Sequence, residues 1–157
     1  YNIITVKPES DKLGFVGTPT HIKTDVLKEI IKVNEVPVVA PLGLDKNNQT
    51  FNINADTAAG SIAIELKARR LMIISDVEGV LDNKKKLIPE INSKKANELI
   101  DREIITGGMI PKINNCLDVA SNGVKAVVII DGRKNHSLLF ELLSDKGSGT
   151  LIREWMI

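Results

Sequence analysis

Cysteine is almost missing from this 157-residue chain, in which Cys116 stands alone. One thiol closes no disulfide and builds no cysteine metal cluster, and its isolation points to a reducing compartment. Aromatic residues make up only 3%, which argues against a platform for stacking bases. Charge of one sign is not in excess: 21 Lys and Arg face 20 Asp and Glu, a formal net charge of +1. No broad basic face for nucleic acid is therefore expected. No apolar run approaches the roughly 18 residues that span a bilayer, and no secretory signal opens the chain. Neither nucleic acid nor a membrane is expected as a partner. The chain begins at Tyr1 without a methionine, so it reads as a piece of something longer.

What is present is aliphatic. Hydrophobic residues reach 43%, enough over this length for one domain, 1–157, with a real core. Strand and helix alternate. Val26, Ile30 and Ile31 recur at helical spacing after Lys23-Thr24-Asp25, and Val36 to Ala40 reads as a buried strand. A strand over Thr50 to Asn54 leads into a helix carrying Ala55, Ala58, Ala59, Ile62, Ala63 and Leu66. Leu71 to Ile74 is a second buried strand. Ser93 is placed as the N-cap of a helix burying Ala96, Leu99 and Ile100. Ile110, Ile113, Leu117 and Ala120 mark the next helix, closed by Gly123 as a C′ glycine. Lys125 to Ile130 is a buried strand, followed by a helix from about His136 to Leu143 and a strand near Thr150 to Arg153. His21 is expected in a loop, His136 at the start of the last helix, and Lys84 to Lys86 in a solvated turn. The pattern predicts an α/β protein, with a mostly parallel sheet covered by helices on both faces.

Ligands of such sheets sit beyond the carboxyl ends of the strands. Three polar clusters fall there: Ser75-Asp76 with Gly79, Asp131-Gly132-Arg133, and the Asn52–Asp56 group. Lys112 adds a cation to the first turn of a helix, where it opposes the dipole. That placement gains a purpose if an anion occupies the same end, and Gly107 and Gly108 would let backbone approach it. Gly-Gly before a helix also serves as a plain flexible entry, and Asp56 also serves as a plain cap. Asn54 has a structural hydrogen bond as its simplest role.

The strings NINADTAAG at 52–60, SDVEGVL at 75–81, IITGGMIPK at 104–112 and DGRKNH at 131–136 resemble the acetylglutamate kinases of the amino-acid kinase family. LGFVG at 13–17 and GTLI at 149–152 are similar too. The resemblance implies the three-layer αβα amino-acid kinase fold, lacking its N-terminal half here. It implies transfer of the γ-phosphate of ATP to the side-chain carboxylate of N-acetyl-L-glutamate, in arginine biosynthesis. Lys112 would stabilise the transferring phosphoryl group, and Asp56 would organise the catalytic lysines. Asn52 would bind acetylglutamate. Asp76, Val77, Glu78, Gly79, Val80 and Leu81, with Ile104, Ile105 and Thr106, would bind ATP, with Mg2+ arriving on the nucleotide rather than at a protein metal site. Glu141 and Gly147 match positions that hold an arginine feedback inhibitor. Val128 stands where many arginine-inhibited members have histidine. A nitrogen-regulatory signalling protein, a homo-oligomer and a cytoplasmic location (the plastid stroma in a photosynthetic eukaryote) are further implications. The Gly-rich phosphate loop, a second catalytic lysine and a substrate-gripping arginine have no counterpart in this chain. The resemblance therefore implies a nucleotide-binding part that is catalytically incomplete alone. The alternatives are another member of the family, acting on aspartate, glutamate or a nucleoside monophosphate, or a non-catalytic nucleotide- or effector-binding module.

Overall fold

The computed structural model describes residues 2–154, and they divide into two compact units between Leu66 and Lys67. In the first, Ile4 and Val6 alternate with exposed or half-buried neighbours along β1 (Ile4–Pro8), so one face of the strand turns inward. β1 pairs antiparallel with β2 (Gly17–Ile22) and parallel with β3 (Leu42–Leu44), which pairs antiparallel with β4 (Thr50–Asn52). The sheet order is β2-β1-β3-β4. Its core gathers Ile4, Val6, Ile22, Leu27, Phe51, Ile53 and Ala58. Leu27 comes from α1 (Thr24–Lys32), whose Ile31 faces solvent. α2 (Ala55–Glu65) buries Ala58, Gly60 and Ala63, the small face expected of a helix lying close to its neighbour.

Two expectations fail in this unit. Val36 to Ala40 forms no strand, and Val36 and Val38 are 87% and 95% exposed. A strand needs a neighbour to complete its ladder, and among the described residues no strand pairs with this segment. Only Val39 packs on the core. His21 lies in β2 opposite Thr5 rather than in a loop.

The second unit carries the sheet β5-β7-β8-β6. β5 (Arg70–Ser75) and β7 (Ala126–Asp131) run parallel; β8 (Thr150–Ile152) lies antiparallel to β7 and parallel to β6 (Glu90–Ile91). Val127 to Ile130 are buried without interruption, as a strand covered on both faces must be. β5 differs from the expected buried strand: of its residues only Ile73 is fully buried, and Ile74 is 58% exposed, because β5 is the sheet edge. α3 (Ser93–Asp101) buries Ala96 and Leu99, and α4 (Met109–Ser121) buries Ile113, Cys116, Val119 and Ala120. The cap of α3 is Asn92, whose side-chain Oδ1 accepts from Lys95 N–H at 2.9 Å. Ser93 instead bonds Glu154 through its amide and hydroxyl. Gly123 follows α4 at φ 98°, the left-handed turn expected of it. α5 (Ser137–Leu143) starts after His136 and leaves Leu139, Phe140, Leu142 and Leu143 exposed. The 84–86 lysines sit in an exposed turn held by the Asp82 carboxylate, which accepts from Lys84 and Lys86 N–H.

Candidate functional site

β5 and β7 end level with each other, Ser75 opposite Asp131. The chain leaving β5 turns sharply at Gly79, where φ is 138° and a Cβ would fall 2.5 Å from Oγ1 of Thr150. That buried hydroxyl accepts from Val80 N–H at 2.8 Å and donates to the Ile88 carbonyl at 2.7 Å. Ile88 N–H in turn donates to the Val80 carbonyl at 2.8 Å. Residues 79–81 are thereby pinned from two sides.

The second segment is folded back by the end of α3. The amides of Ile104 and Ile105 both donate to the Leu99 carbonyl, at 2.9 and 3.1 Å, and Ile105 becomes 2% exposed. The two segments meet. Val77, Gly79, Val80 and Leu81 share one cleft of about 200 Å³ with Ile104, Ile105, Thr106 and Met109. Asp76 and Glu78 lie in the same loop without lining the cleft. Its walls are mostly aliphatic, which suits a flat, weakly polar group held by burial with a few backbone hydrogen bonds.

Past this cleft, Gly108 caps α4 with no side-chain bond to the first turn. Gly107 takes φ 55°, and a Cβ at either glycine would meet nothing within 4 Å. The helix start is open on that side. Lys112, half-buried, is the fourth residue of α4.

In the first unit, Asn52 ends β4 with its side chain exposed, and its N–H donates to the Phe15 carbonyl at 2.8 Å. Asn54 is the N-cap of α2, accepting from the amides of Asp56 and Thr57 at 3.0 and 3.2 Å. Asp56 is the second helical residue and half-buried.

Asp131 is buried and takes both ends of the Arg133 guanidinium, at 2.9 and 3.0 Å, with a further bond from Arg133 N–H at 2.9 Å. These bonds hold its pKa at about 2, below the ordinary 3.8, and the carboxylate in turn raises that of Arg133. Lys134 Nζ reaches Glu78 Oε2 at 3.1 Å. Neither the Lys134–Glu78 pair nor the role of Thr150 was legible in the sequence, because each joins residues more than 50 positions apart.

Glu141 and Gly147 come together on a separate cavity of about 400 Å³, which Arg70, Lys125, Ser144 and Arg153 also line. Glu141 Oε2 accepts from Ser148 N–H at 2.7 Å, and Oε1 lies 4.0 Å from Arg70 Nη1. The Ser144 hydroxyl is buried with no hydrogen-bond partner, which leaves a polar atom to be satisfied by a ligand or water. Among the described residues no helix is long and apolar enough to cross a membrane.

A model of the amino acid kinase family matches residues 2–131. The chain is similar to the acetylglutamate kinase of Pelagibacter ubique (strain HTCC1062), 85% identical over 153 residues that cover 98% of this chain and 53% of that protein. It is similar to the acetylglutamate kinase of Bradyrhizobium sp. (strain ORS 278), 50% identical over 142 residues, 90% of this chain and 48% of that protein. The chain thus spans about half the length of the curated relatives it matches. Among solved structures, N-acetylglutamate synthase from Neisseria gonorrhoeae complexed with coenzyme A and N-acetyl-glutamate aligns with a TM-score of 0.92 over 100% of this chain and 38% of that one. At 24% identity, that likeness concerns the fold.

Proposed function

Because this chain belongs to the amino acid kinase family, we propose that it is the ATP-binding part of an acetylglutamate kinase. The whole protein would transfer the γ-phosphate of ATP to the side-chain carboxylate of N-acetyl-L-glutamate. The observation that carries the reading is the cleft shared by 77–81 and 104–109. Its aliphatic walls fit a purine base, and the open start of α4 beyond it, with the Lys112 cation in the fourth helical position, suits the phosphates. Mg2+ arrives with the nucleotide and offsets phosphate charge.

Phosphoryl transfer asks a protein mainly for positioning and charge neutralisation. We assign Lys112 to the charge that builds on the transferring group. Asp56 is given the task of organising the catalytic lysines; that the N-cap position of α2 is filled by Asn54 and not by Asp56 supports such a role. Asn52 is assigned to acetylglutamate through its exposed amide. Glu141 and Gly147 are assigned to a feedback-inhibiting arginine: the carboxylate answers a guanidinium, and the unpartnered Ser144 hydroxyl supports a polar guest. A homo-oligomer fits the exposed apolar residues of α5. A nitrogen-regulatory partner and a cytoplasmic or stromal location complete the proposal for the whole protein.

The test is calorimetric titration of the 157-residue chain with Mg·ATP, beside a hydroxamate assay for acyl phosphate. Binding without turnover is expected from the chain. Turnover is expected from a chimera joining it to the remaining half of the Pelagibacter relative. A chain that binds no nucleotide would sink the reading.

A further inference from the structure

Among the described residues, the loop that walls the cleft is hydrogen-bonded at both ends and carries few hydrogen bonds in between. At its start, Gly132 N–H donates to the Ser75 carbonyl at 2.8 Å. At its end, Val80 is held by Thr150 and by Ile88. Between them stand Asp76, Val77 and Glu78; among the described residues, the close ion pair that reaches this stretch from outside its own loop runs from Glu78 to Lys134 at 3.1 Å, and Arg133 adds a longer-range attraction to Asp76 and Glu78. The other contact there, Ser75 hydroxyl to the Asp76 carboxylate at 3.3 Å, joins neighbours and anchors nothing.

Lys134 itself stands on a stiff base. Asp131 gathers three hydrogen bonds from Arg133 and accepts at its carbonyl from Lys134 N–H at 3.4 Å. At Gly132 a Cβ would come within 2.6 Å of Ile74 Cγ2, so the loop is pressed onto β5. The loop after β7 therefore reaches across with the Lys134 ammonium group to the middle of the loop after β5. Glu78 lies between Val77 and Gly79, both of which line the cleft. Fixing its carboxylate fixes the direction of that wall.

We propose that Lys134 is a positioning residue for the nucleotide: through Glu78 it holds the 76–79 turn in the shape that receives the base, without touching the ligand. The proposal rests on the reading of this cleft as the ATP site. Both side chains are about half exposed, at 51% and 47%, so the pair contributes little to global stability and is weakened by salt. Its effect is local. An exposed pair of this kind corresponds to a change of roughly two- to five-fold in an equilibrium constant.

Three variants of the 157-residue chain test this: Glu78→Gln, Lys134→Met, and the exchange Glu78→Lys with Lys134→Glu. Each is titrated with Mg·ATP and with adenosine at low and high salt, and amide exchange is followed without ligand. Both single variants are expected to weaken ATP and adenosine alike, by about two- to five-fold, and the exchanged pair to recover most of the loss. High salt should remove the difference from the wild type. Exchange should rise at 76–79 and stay constant at 80–88. Because the exchange measurement needs no nucleotide, it separates the two claims. A wild-type chain that binds no nucleotide overturns the site reading and the proposal with it. Unchanged exchange at 76–79, or unchanged affinities, overturns the proposal alone. If Glu78→Gln tightens ATP while Lys134→Met weakens ATP but not adenosine, Lys134 binds phosphate directly and the positioning role is wrong.

Discussion

Thr150→Val removes one buried oxygen and keeps the shape of the side chain. In the wild type that oxygen accepts from Val80 N–H at 2.8 Å and donates to the Ile88 carbonyl at 2.7 Å, and the residue is fully buried. Valine satisfies neither group. A buried polar atom left without its partner costs about 1–3 kcal/mol, so two predict a loss of about 1–5 kcal/mol, centred near 3, once about 1 kcal/mol for the added methyl is credited. Against a total stability of about 5–15 kcal/mol that is a large fraction. Thr150→Ser is the control: it keeps both hydrogen bonds and gives up one methyl, about 1 kcal/mol. Urea denaturation followed by circular dichroism should show the valine variant losing clearly more than the serine variant, at an unchanged slope. Val80 lines the cleft, so the valine variant should also bind Mg·ATP more weakly. A valine variant as stable as the serine variant would refute the claim that Thr150 pins the 79–81 segment.

Acid should expose the Asp131–Arg133 pair. A pKa held at about 2, below 3.8, means that the folded state is favoured above the ordinary value and that this favour is lost as pH falls towards 2. The wild-type melting temperature should drop more steeply between about pH 4 and 2 than that of Arg133→Met; equal slopes would contradict the pairing. Gly149→Ala would place its Cβ 1.9 Å from the Ile129 carbonyl oxygen, against backbone that cannot step aside. A loss of about 3 kcal/mol or more is expected in the same denaturation assay, and a near-neutral result would refute the close β7–β8 approach. In the chimera, Lys112→Ala should lower kcat by about 10²–10³ with little change in KM. Asp56→Asn there should lower kcat, since the N-cap of α2 is Asn54; wild-type kcat in that variant would return Asp56 to a structural role.

Much of this was legible because it is local. The small face of α2 follows from Ala58, Gly60 and Ala63, and Gly123 announces the end of α4 by its left-handed backbone. The two halves of the cleft were readable as motifs, though nothing in their spacing brings them together; that takes the fold-back onto Leu99. One cap was assigned one residue off: Asn92 takes the amide that Ser93 was expected to take, since several residues around a helix start have suitable oxygens, while Asn54 makes the structural hydrogen bonds that were its simplest role. Strand burial was over-read for a different reason. Val36 to Ala40 and Leu71 to Ile74 have the composition of buried strands, but burial depends on neighbours supplied from elsewhere in the chain. Val38 is 95% exposed because, among the described residues, no strand lies beside it.

The central claim is that residues 76–81 and 104–106 form one nucleotide site. Hydrogen exchange on the 157-residue chain, with and without saturating Mg·ATP, tests it most directly. Protection is predicted in both segments at once, across the 22 intervening residues, with little change around Glu141 and Gly147. Protection in neither segment, or protection confined to the cavity at Glu141, would contradict the account.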